Sequence, residues 1–483
     1  MLFASFSYLI FLPAVVLLYW LVPQRFRLSL LLLASYFFYM SWNAGFVLLV
    51  IGMTAFNWFW GNLLHKQTSR RKTVFAIGLF VNLSCLALFK YSNLVIKSAS
   101  DFTAVTTGHD PGWSINIILP LAISFFTFEF IHYLFEVYRG KSPISSYVLF
   151  SLFAAFFPTQ IAGPIKRFPD FEAQMSEEKK IKLRYFDEGL PLIIMGLAKK
   201  VLLADNMAVL VNMVSKDPFS YGAPELWLTA YAFAFQIYFD FSGYTDIARG
   251  SAMLFGYKIP INFNMPYIAR NVSDFWHRWH ISLSSWLRDY LFIPLGGSRH
   301  GKWITHRNLF VTMVLGGLWH GASWNFVVWG AYHGLALIAH KEFSQWRSNC
   351  VLLEKFFCSS IWRCASVLMT FHVVCIGWVF FRIENIGQAF GIVKRMLVMS
   401  PLLTAVEVNQ PILLWSNLPV IVPVSLILLA VLLLANIPLS LLLESGRIQK
   451  SPPIFQAVFC SLLIVAMITF LPTETEPFIY FRF

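Results

Sequence analysis

The sequence predicts an all-α integral membrane protein on three observations. Of the 483 residues, 58% are hydrophobic and only 13% are charged, whereas soluble proteins carry about 25% charged residues. Apolar runs long enough to cross a bilayer recur along the whole chain. The basic residues gather in short loops between these runs, as in multi-pass proteins. Helices are expected because backbone polar groups inside a bilayer must be paired within their own segment.

The apolar runs define the expected elements in chain order, because a membrane-spanning helix needs about 20 residues. They lie at about 2–22, 28–49, 46–64, 74–96, 115–137, 146–165, 189–213, 224–246, 308–339, 361–382, 419–443 and 454–472. The second and third overlap, so we expect about ten to twelve transmembrane or re-entrant helices. No soluble domain interrupts them, which predicts one transmembrane domain over 1–483. The first run lacks a basic flank and a cleavage site, which favours a retained membrane segment.

The net charge of +13 does not indicate nucleic-acid binding, because the basic residues form no separate basic domain. Their pattern favours loops on the cytoplasmic face of a lipid bilayer. The loop residues concerned are Arg25, Arg27, Lys66, Arg70, Arg71, Lys72, Arg139, Lys141, Lys166, Arg167, Lys179, Lys180, Lys182 and Arg184. The six cysteines contain no CxxC pair, so neither a disulfide framework nor a zinc site is predicted.

Residues 258–299 are too polar to span a membrane and too aromatic for a solvated loop. From Asp274 the spacing of the aromatic residues predicts one amphipathic helix, capped by Ser273 or Asp274. Such a helix lies at the membrane interface or packs into the core of the protein. Pro294 and the following glycines would end it. His280 falls on or beside the apolar stripe of this helix, which is formed by Trp276, Trp279, Leu283, Trp286 and Tyr290. We therefore expect His280 to be buried.

The run 308–339 would measure about 48 Å as one helix, against a hydrocarbon core of about 30 Å. Gly316, Gly317 and Gly321 supply places to break it, and His320 falls at the break. An ionisable residue at that depth indicates function, and a neutral imidazole there can accept a proton. The alternative is a histidine that only bonds to a neighbouring helix. Ser323 is either a nucleophile or a small packing residue.

Other polar residues in the apolar runs allow two interpretations each. Glu129, His132 and Glu136 share one helical face, and Asp240 and Asp246 flank Gly243. Such groups serve as proton relays in transporters or form structural pairs within the fold. His333 is interpreted as a helix-packing residue. His277 and His280 have metal-ligand spacing, but no further ligand cluster lies nearby in sequence, so no metal site is predicted.

Several catalytic motifs are absent from the sequence. It contains no GxSxG elbow, Walker A loop, HExxH pair or GxGxxG after a strand. Their absence disfavours an ATP-driven pump and an ordinary serine hydrolase.

Two long strings resemble the membrane-bound O-acyltransferase family. These are FWHRWHISLSSWLRDYLFIPLGG at 275–297 and NLFVTMVLGGLWHGASWNFVVWGAYHG at 308–334. Within the family they are similar to the bacterial branch of the alginate O-acetyltransferase membrane subunit. Further similar strings occur at 88–93, 119–140, 156–167, 236–248, 376–382 and 478–483. The chain departs from the family pattern at His277, where a basic Arg or Lys is usual, and at Ala122, where Gly is common.

The resemblance implies a helical fold around a central tunnel, with catalytic His320 and a second functional histidine at His280. It also implies a cytoplasmic acyl donor, acetyl-CoA or a related acyl thioester, with no bound cofactor. A periplasmic SGNH-type acetyltransferase would then pass the acetyl group to a polysaccharide. The expected setting is the bacterial inner membrane, and the expected substrate-binding residues are Trp319, Trp324, Trp276 and Asn325.

The expected function is O-acetylation of an extracytoplasmic, alginate-like exopolysaccharide, with His320 as general base and His280 orienting donor or acceptor. Cellulose, peptidoglycan and teichoic acid are alternative acceptors. Three alternative mechanisms stay open: a covalent acyl-enzyme, a proton-coupled transporter or flippase, and a scaffolding subunit without catalysis.

Overall fold

The computed structural model of the protein describes residues 3, 5–349, 354–398, 427–434, 438, 448, 451–470 and 477–479. Every regular element in these ranges is helical, so the predicted all-α class is confirmed. The predicted run 419–443 lies largely outside the described residues, as does Cys350. The chain divides into two compact units, Met1–Ile193 with Ile247–Pro260, and Ile194–Asp246 with Ile261–Phe483. The single domain over 1–483 stays a prediction.

The first unit contains helices α1 to α7, the start of α8 and the end of α10. Its α3 and α4 are joined by a reciprocal pair of amide hydrogen bonds, in which Asn57 and Asn82 each donate to the other at 2.9 and 2.8 Å. Nearly all of α5 is buried in this unit. The helices are α1 Phe6–Leu21, α2 Gln24–Met40, α3 Phe46–Lys66, α4 Arg71–Thr107, α5 Ile123–Tyr138, α6 Tyr147–Ala155, α7 Phe168–Ser176, α8 Leu183–Ala198 and α10 Ala223–Leu254.

The second unit contains the remaining helices and two short π-helices, Lys199–Ala204 and Arg288–Phe292. Its centre is the hairpin of α13 and α14, in which a Cβ added at Gly334 would lie only 3.1 Å from Phe310 Cα. The small residue thus lets the two helices approach closely. The helices are α9 Asp205–Lys216, α11 Val272–Arg278, α12 Ile281–Leu287, α13 Lys302–His320, α14 Trp324–Ser348, α15 Glu354–Cys358, α16 Ser360–Arg382, α17 Ile386–Val398 and α18 Pro453–Thr469.

Among the described helices, α3, α4 and α16 are long and apolar enough to cross a membrane. Helices α1 and α18 are apolar but shorter. The count of ten to twelve spans therefore stays a prediction. Several runs are only partly helical: α5 begins at Ile123 within the run 115–137, and α6 ends at Ala155 within the run 146–165.

One predicted element is wrong. The single amphipathic helix from Asp274 is two short helices, α11 and α12, separated at Trp279 and His280. The N-cap of α11 is Asn271 and not Ser273 or Asp274. The Asn271 side chain accepts a hydrogen bond from the Asp274 N–H at 2.8 Å. The break arises because His280 adopts a left-handed backbone conformation with φ of 43°, which an α-helix cannot contain.

Two of the basic loop residues have buried side chains. Lys166 is only 2% exposed and its ammonium lies 2.7 Å from the Glu129 carboxylate. Lys179 is also buried and lies 2.7 Å from Glu177. Both residues lie in loops, as predicted, and Lys166 belongs to the core of the first unit.

Candidate active site

His320 is the last residue of α13, and the chain leaves the helix at once. Gly321 is extended, with φ of −160° and ψ of 151°. The next helix starts at Trp324, and the Ser323 hydroxyl caps it by accepting the Asn325 N–H at 3.3 Å. The predicted break beside His320 is confirmed. Ser323 is occupied as a helix cap, which favours its interpretation as a structural residue.

His280 lies at the break between α11 and α12 and is completely buried. A left-handed backbone at a residue other than glycine costs about 1–3 kcal/mol and must be enforced by its surroundings. The neighbouring loop does this: Asn262 accepts the Ile281 N–H with its carbonyl at 2.9 Å and the Ser282 hydroxyl with its side chain at 2.6 Å. Burial also lowers the pKa of the His280 imidazole, which favours its neutral form.

The structure brings His280 and His320 together. Their ring centroids are 6.4 Å apart, and His320 is only 7% exposed. Both come from helix ends, one at the start of α12 and the other at the end of α13. The two imidazoles therefore face one small region of the second unit.

Aromatic rings enclose this histidine pair. Trp319 contacts both histidines, with ring centroids 6.1 Å from His280 and 5.1 Å from His320. Phe241 of α10 packs edge-on against His280 at 4.7 Å. Trp329 and Phe381 pack against His320 at 5.1 and 5.3 Å. Surroundings of this kind exclude water from the two imidazoles.

The four residues predicted to bind substrate occupy different positions. Trp319 lies beside both histidines, whereas Trp276 lies one ring further away, 5.7 Å from Trp329. The buried side-chain amide of Asn325 donates to the Ile383 carbonyl at the end of α16. Trp324 is 55% exposed on the first turn of α14. Their role in binding stays a prediction, and the geometry favours Trp319.

Sequence reasoning missed three of the enclosing rings. Trp329 and His333 are four residues apart on α14 and contact each other at 5.0 Å, so helical spacing could have linked these two residues to each other but not to His320, which lies beyond the break. Phe241 and Phe381 come from distant helices, and no local pattern indicates them. His333 is fully buried against α16, where a Cβ added at Gly377 would lie 2.6 Å from its Nε2 atom. That position supports its interpretation as a packing residue.

The other polar groups of the apolar runs mostly form ion pairs. Glu129 pairs with Lys166, and Glu136 lies 3.4 Å from Arg139. Asp240 lies 2.8 Å from Lys200, and Asp246 lies 2.7 Å from Lys199. Within the described ranges, no group of three or more His, Cys, Asp or Glu side chains could hold a metal ion.

The family model of the membrane-bound O-acyltransferases, MBOAT, matches residues 31–381, a range that includes both histidines and their aromatic surroundings. The chain belongs to this family. It is an acyltransferase.

Three proteins that are similar in sequence to this chain have names that describe acyl-transfer activities. A probable alginate O-acetylase AlgI of Pseudomonas aeruginosa is 40% identical over 82% of the acyltransferase chain and 75% of its own. A peptidoglycan O-acetyltransferase of Helicobacter pylori is 37% identical over 76% of this chain and 73% of its own. A teichoic acid D-alanyltransferase of Bacillus subtilis is 32% identical over 55% of this chain and 69% of its own.

Proposed function

We propose that this acyltransferase moves an acetyl group from a cytoplasmic acyl thioester, acetyl-CoA or a related donor, towards an extracytoplasmic polysaccharide. Support comes from the names of its relatives, since the Pseudomonas and Helicobacter proteins are both called O-acetylating enzymes. The higher identity to the alginate O-acetylase favours an alginate-like exopolysaccharide over peptidoglycan. The bacterial inner membrane separates donor from acceptor in this scheme.

The pair of buried imidazoles is the observation that carries the proposal. With ring centroids 6.4 Å apart, the two histidines are close enough to act on one substrate bound beside both of them. The surrounding tryptophan and phenylalanine rings offer an apolar face to a thioester. They also keep out water, which would otherwise hydrolyse the donor.

The proposed reaction uses His320 as the general base. Its imidazole accepts the proton of the acceptor hydroxyl while the hydroxyl oxygen attacks the thioester carbonyl carbon. The carbon–sulfur bond then breaks, and the proton passes to the departing sulfur, giving an ester and a free thiol. His280 orients the donor or the acceptor. General-base help of this kind contributes roughly 10²–10⁴ in rate, and the fixed positions of the reactants add to it.

In this proposal the acetyl group leaves the histidines through a central tunnel and is received by a partner protein. A periplasmic SGNH-type acetyltransferase would receive the acetyl group and deliver it to the polymer. In this proposal the donor and the acceptor approach the histidine pair from opposite ends of the tunnel.

The test compares cells that carry the wild-type protein, His320→Ala or no protein. Ester-linked acetate in purified surface polysaccharide is measured by mass spectrometry, and membrane insertion of the variant is verified by immunoblot. Wild type should acetylate the polymer, and His320→Ala should reduce ester acetate to the level of the deletion. Wild-type levels with an inserted His320→Ala protein would exclude His320 as the base and favour a scaffolding role.

A further inference from the structure

The buried ionic cluster of the second unit holds a short segment from the far end of the chain. The Lys200 ammonium lies 2.7 Å from Asp205 and 2.8 Å from Asp240. The other carboxylate oxygen of Asp240 accepts the backbone N–H of Ile479 at 2.6 Å. The Lys200 ammonium thus pairs with two carboxylates. The second of these, Asp240, also accepts a hydrogen bond from the backbone of segment 477–479.

The side chains of the segment are seated in the same place. Phe478 and Ile479 are only 2% and 5% exposed. The Phe478 ring lies 5.1 Å from the Lys200 ammonium, a cation–π contact. It also packs edge-on against Tyr244 at 5.0 Å. Residues 478 and 479 are therefore held by a hydrogen bond, a cation and an aromatic ring.

The same stretch of α10 reaches the histidine pair. Phe241 follows Asp240 directly and packs against His280. Two residues further on, a Cβ at Gly243 would lie 2.6 Å from the Gly196 carbonyl oxygen, so the backbones of α10 and α8 touch there. Because α10 is held against α8 at Gly243, we expect a displacement of α10 at Asp240 to move the adjacent Phe241.

We propose that Lys200 and Asp240 form a docking site for segment 477–479, and that docking positions Phe241 against His280. Asp240 is in this view a positioning residue for acyl transfer. The inference rests on the proposed function for its effect on transfer, but the docking itself does not depend on it.

Docking is measured first by hydrogen–deuterium exchange of the purified full chain, in the peptide that contains 477–479. Asp240→Ala should raise exchange in this peptide, because the acceptor of the Ile479 N–H is lost. Asp246→Ala is the matched control, since Asp246 is a buried aspartate on the same helix that pairs with Lys199. It should leave exchange at 477–479 unchanged. Equal exchange in wild type and Asp240→Ala would overturn the docking site.

Coupling to the reaction is measured by ester acetate in a double-mutant cycle. Ile479→Pro removes the N–H and leaves the ionic cluster intact, whereas Ile479→Ala keeps the N–H. Ile479→Pro and Asp240→Ala should each lower transfer about tenfold, the scale of a lost charge-assisted hydrogen bond. The double variant should be no worse than either one, while Ile479→Ala stays near wild type.

Ile479→Pro combined with Asp246→Ala should instead give the product of the two single effects, because Asp246 pairs with Lys199 and not with the partners of Ile479. A multiplied loss of about a hundredfold in the Asp240→Ala, Ile479→Pro double variant would overturn the coupling. Absence of ester acetate with the wild-type protein would refute the proposed function, while the exchange measurement would still decide the docking site.

Discussion

Two groups of buried ionisable residues in this protein have different surroundings. The lysines at 166, 199 and 200 each lie 2.7–2.8 Å from a carboxylate. The histidines at 280 and 320 are instead enclosed by aromatic rings. Paired charges fix helices to one another, since each partner satisfies the other. Under the proposed function, the ion pairs belong to the framework and the histidine pair to the chemistry. Aromatic surroundings alone do not mark a catalytic histidine, since His333 is also enclosed by rings and packs against α16.

The largest expected effect comes from breaking an ion pair of the first unit. Lys166→Met leaves the Glu129 carboxylate buried without its ammonium, which should cost about 3–5 kcal/mol of stability. The double variant Lys166→Met, Glu129→Leu should recover most of this, because no buried charge remains. Thermal unfolding of the purified protein in detergent measures both. A single variant as stable as wild type would show that the pair has no structural role.

The histidine at the left-handed turn tests the other half of the comparison. His280→Asn and His280→Gln should both lower acyl transfer, by at least about tenfold if His280 orients a substrate. Asn should be better tolerated in folding, because it adopts the left-handed conformation more readily than Gln. His277→Gln is the matched control, since His277 is exposed on the same segment. Wild-type transfer by a folded His280→Gln protein would contradict the assignment.

Ala122 also has a left-handed backbone, but its replacement should stabilise the protein. It precedes α5 with φ of 61°, a conformation that costs a residue with a Cβ about 1–2 kcal/mol. Ala122→Gly should therefore raise the unfolding free energy by about 1 kcal/mol and leave transfer unchanged. The measurement is the thermal unfolding midpoint, and a lower midpoint would contradict the steric explanation.

The smallest effects should mark the edge of the site. Trp324→Phe should change stability by less than about 0.5 kcal/mol and leave transfer intact, because Trp324 is exposed. Trp319→Phe should reduce transfer measurably, because its ring contacts both histidines. Comparing ester acetate from the two variants decides whether both tryptophans bind substrate. Equal losses of ester acetate in the two variants would indicate that Trp324 also binds substrate.

The sequence allowed the helical class, the break beside His320 and the candidate histidines to be predicted, because each depends on local composition. Apolar length, glycine spacing and a polar residue in an apolar run are all readable within about 30 residues. The ion pair of Glu129 with Lys166 spans 37 positions, and no local pattern identifies such a partner.

The break at His280 was missed for a related reason. Left-handed conformations are usually signalled by Gly or Asn, whereas here the turn is held by Asn262, a residue 20 positions away from the Ser282 that it contacts. The rings of Phe241 and Phe381 were missed because they reach the histidines through tertiary packing alone.

The length of α4 has a practical consequence for imaging. Its 37 residues extend about 55 Å, while even a helix tilted by about 40° uses only about 39 Å to cross the hydrocarbon core. If α4 crosses the bilayer, about three of its turns therefore lie outside the hydrocarbon core. Such an extension of a helix is a natural attachment point for an antibody fragment or a fused marker domain, which would give a small, membrane-embedded particle a recognisable outline.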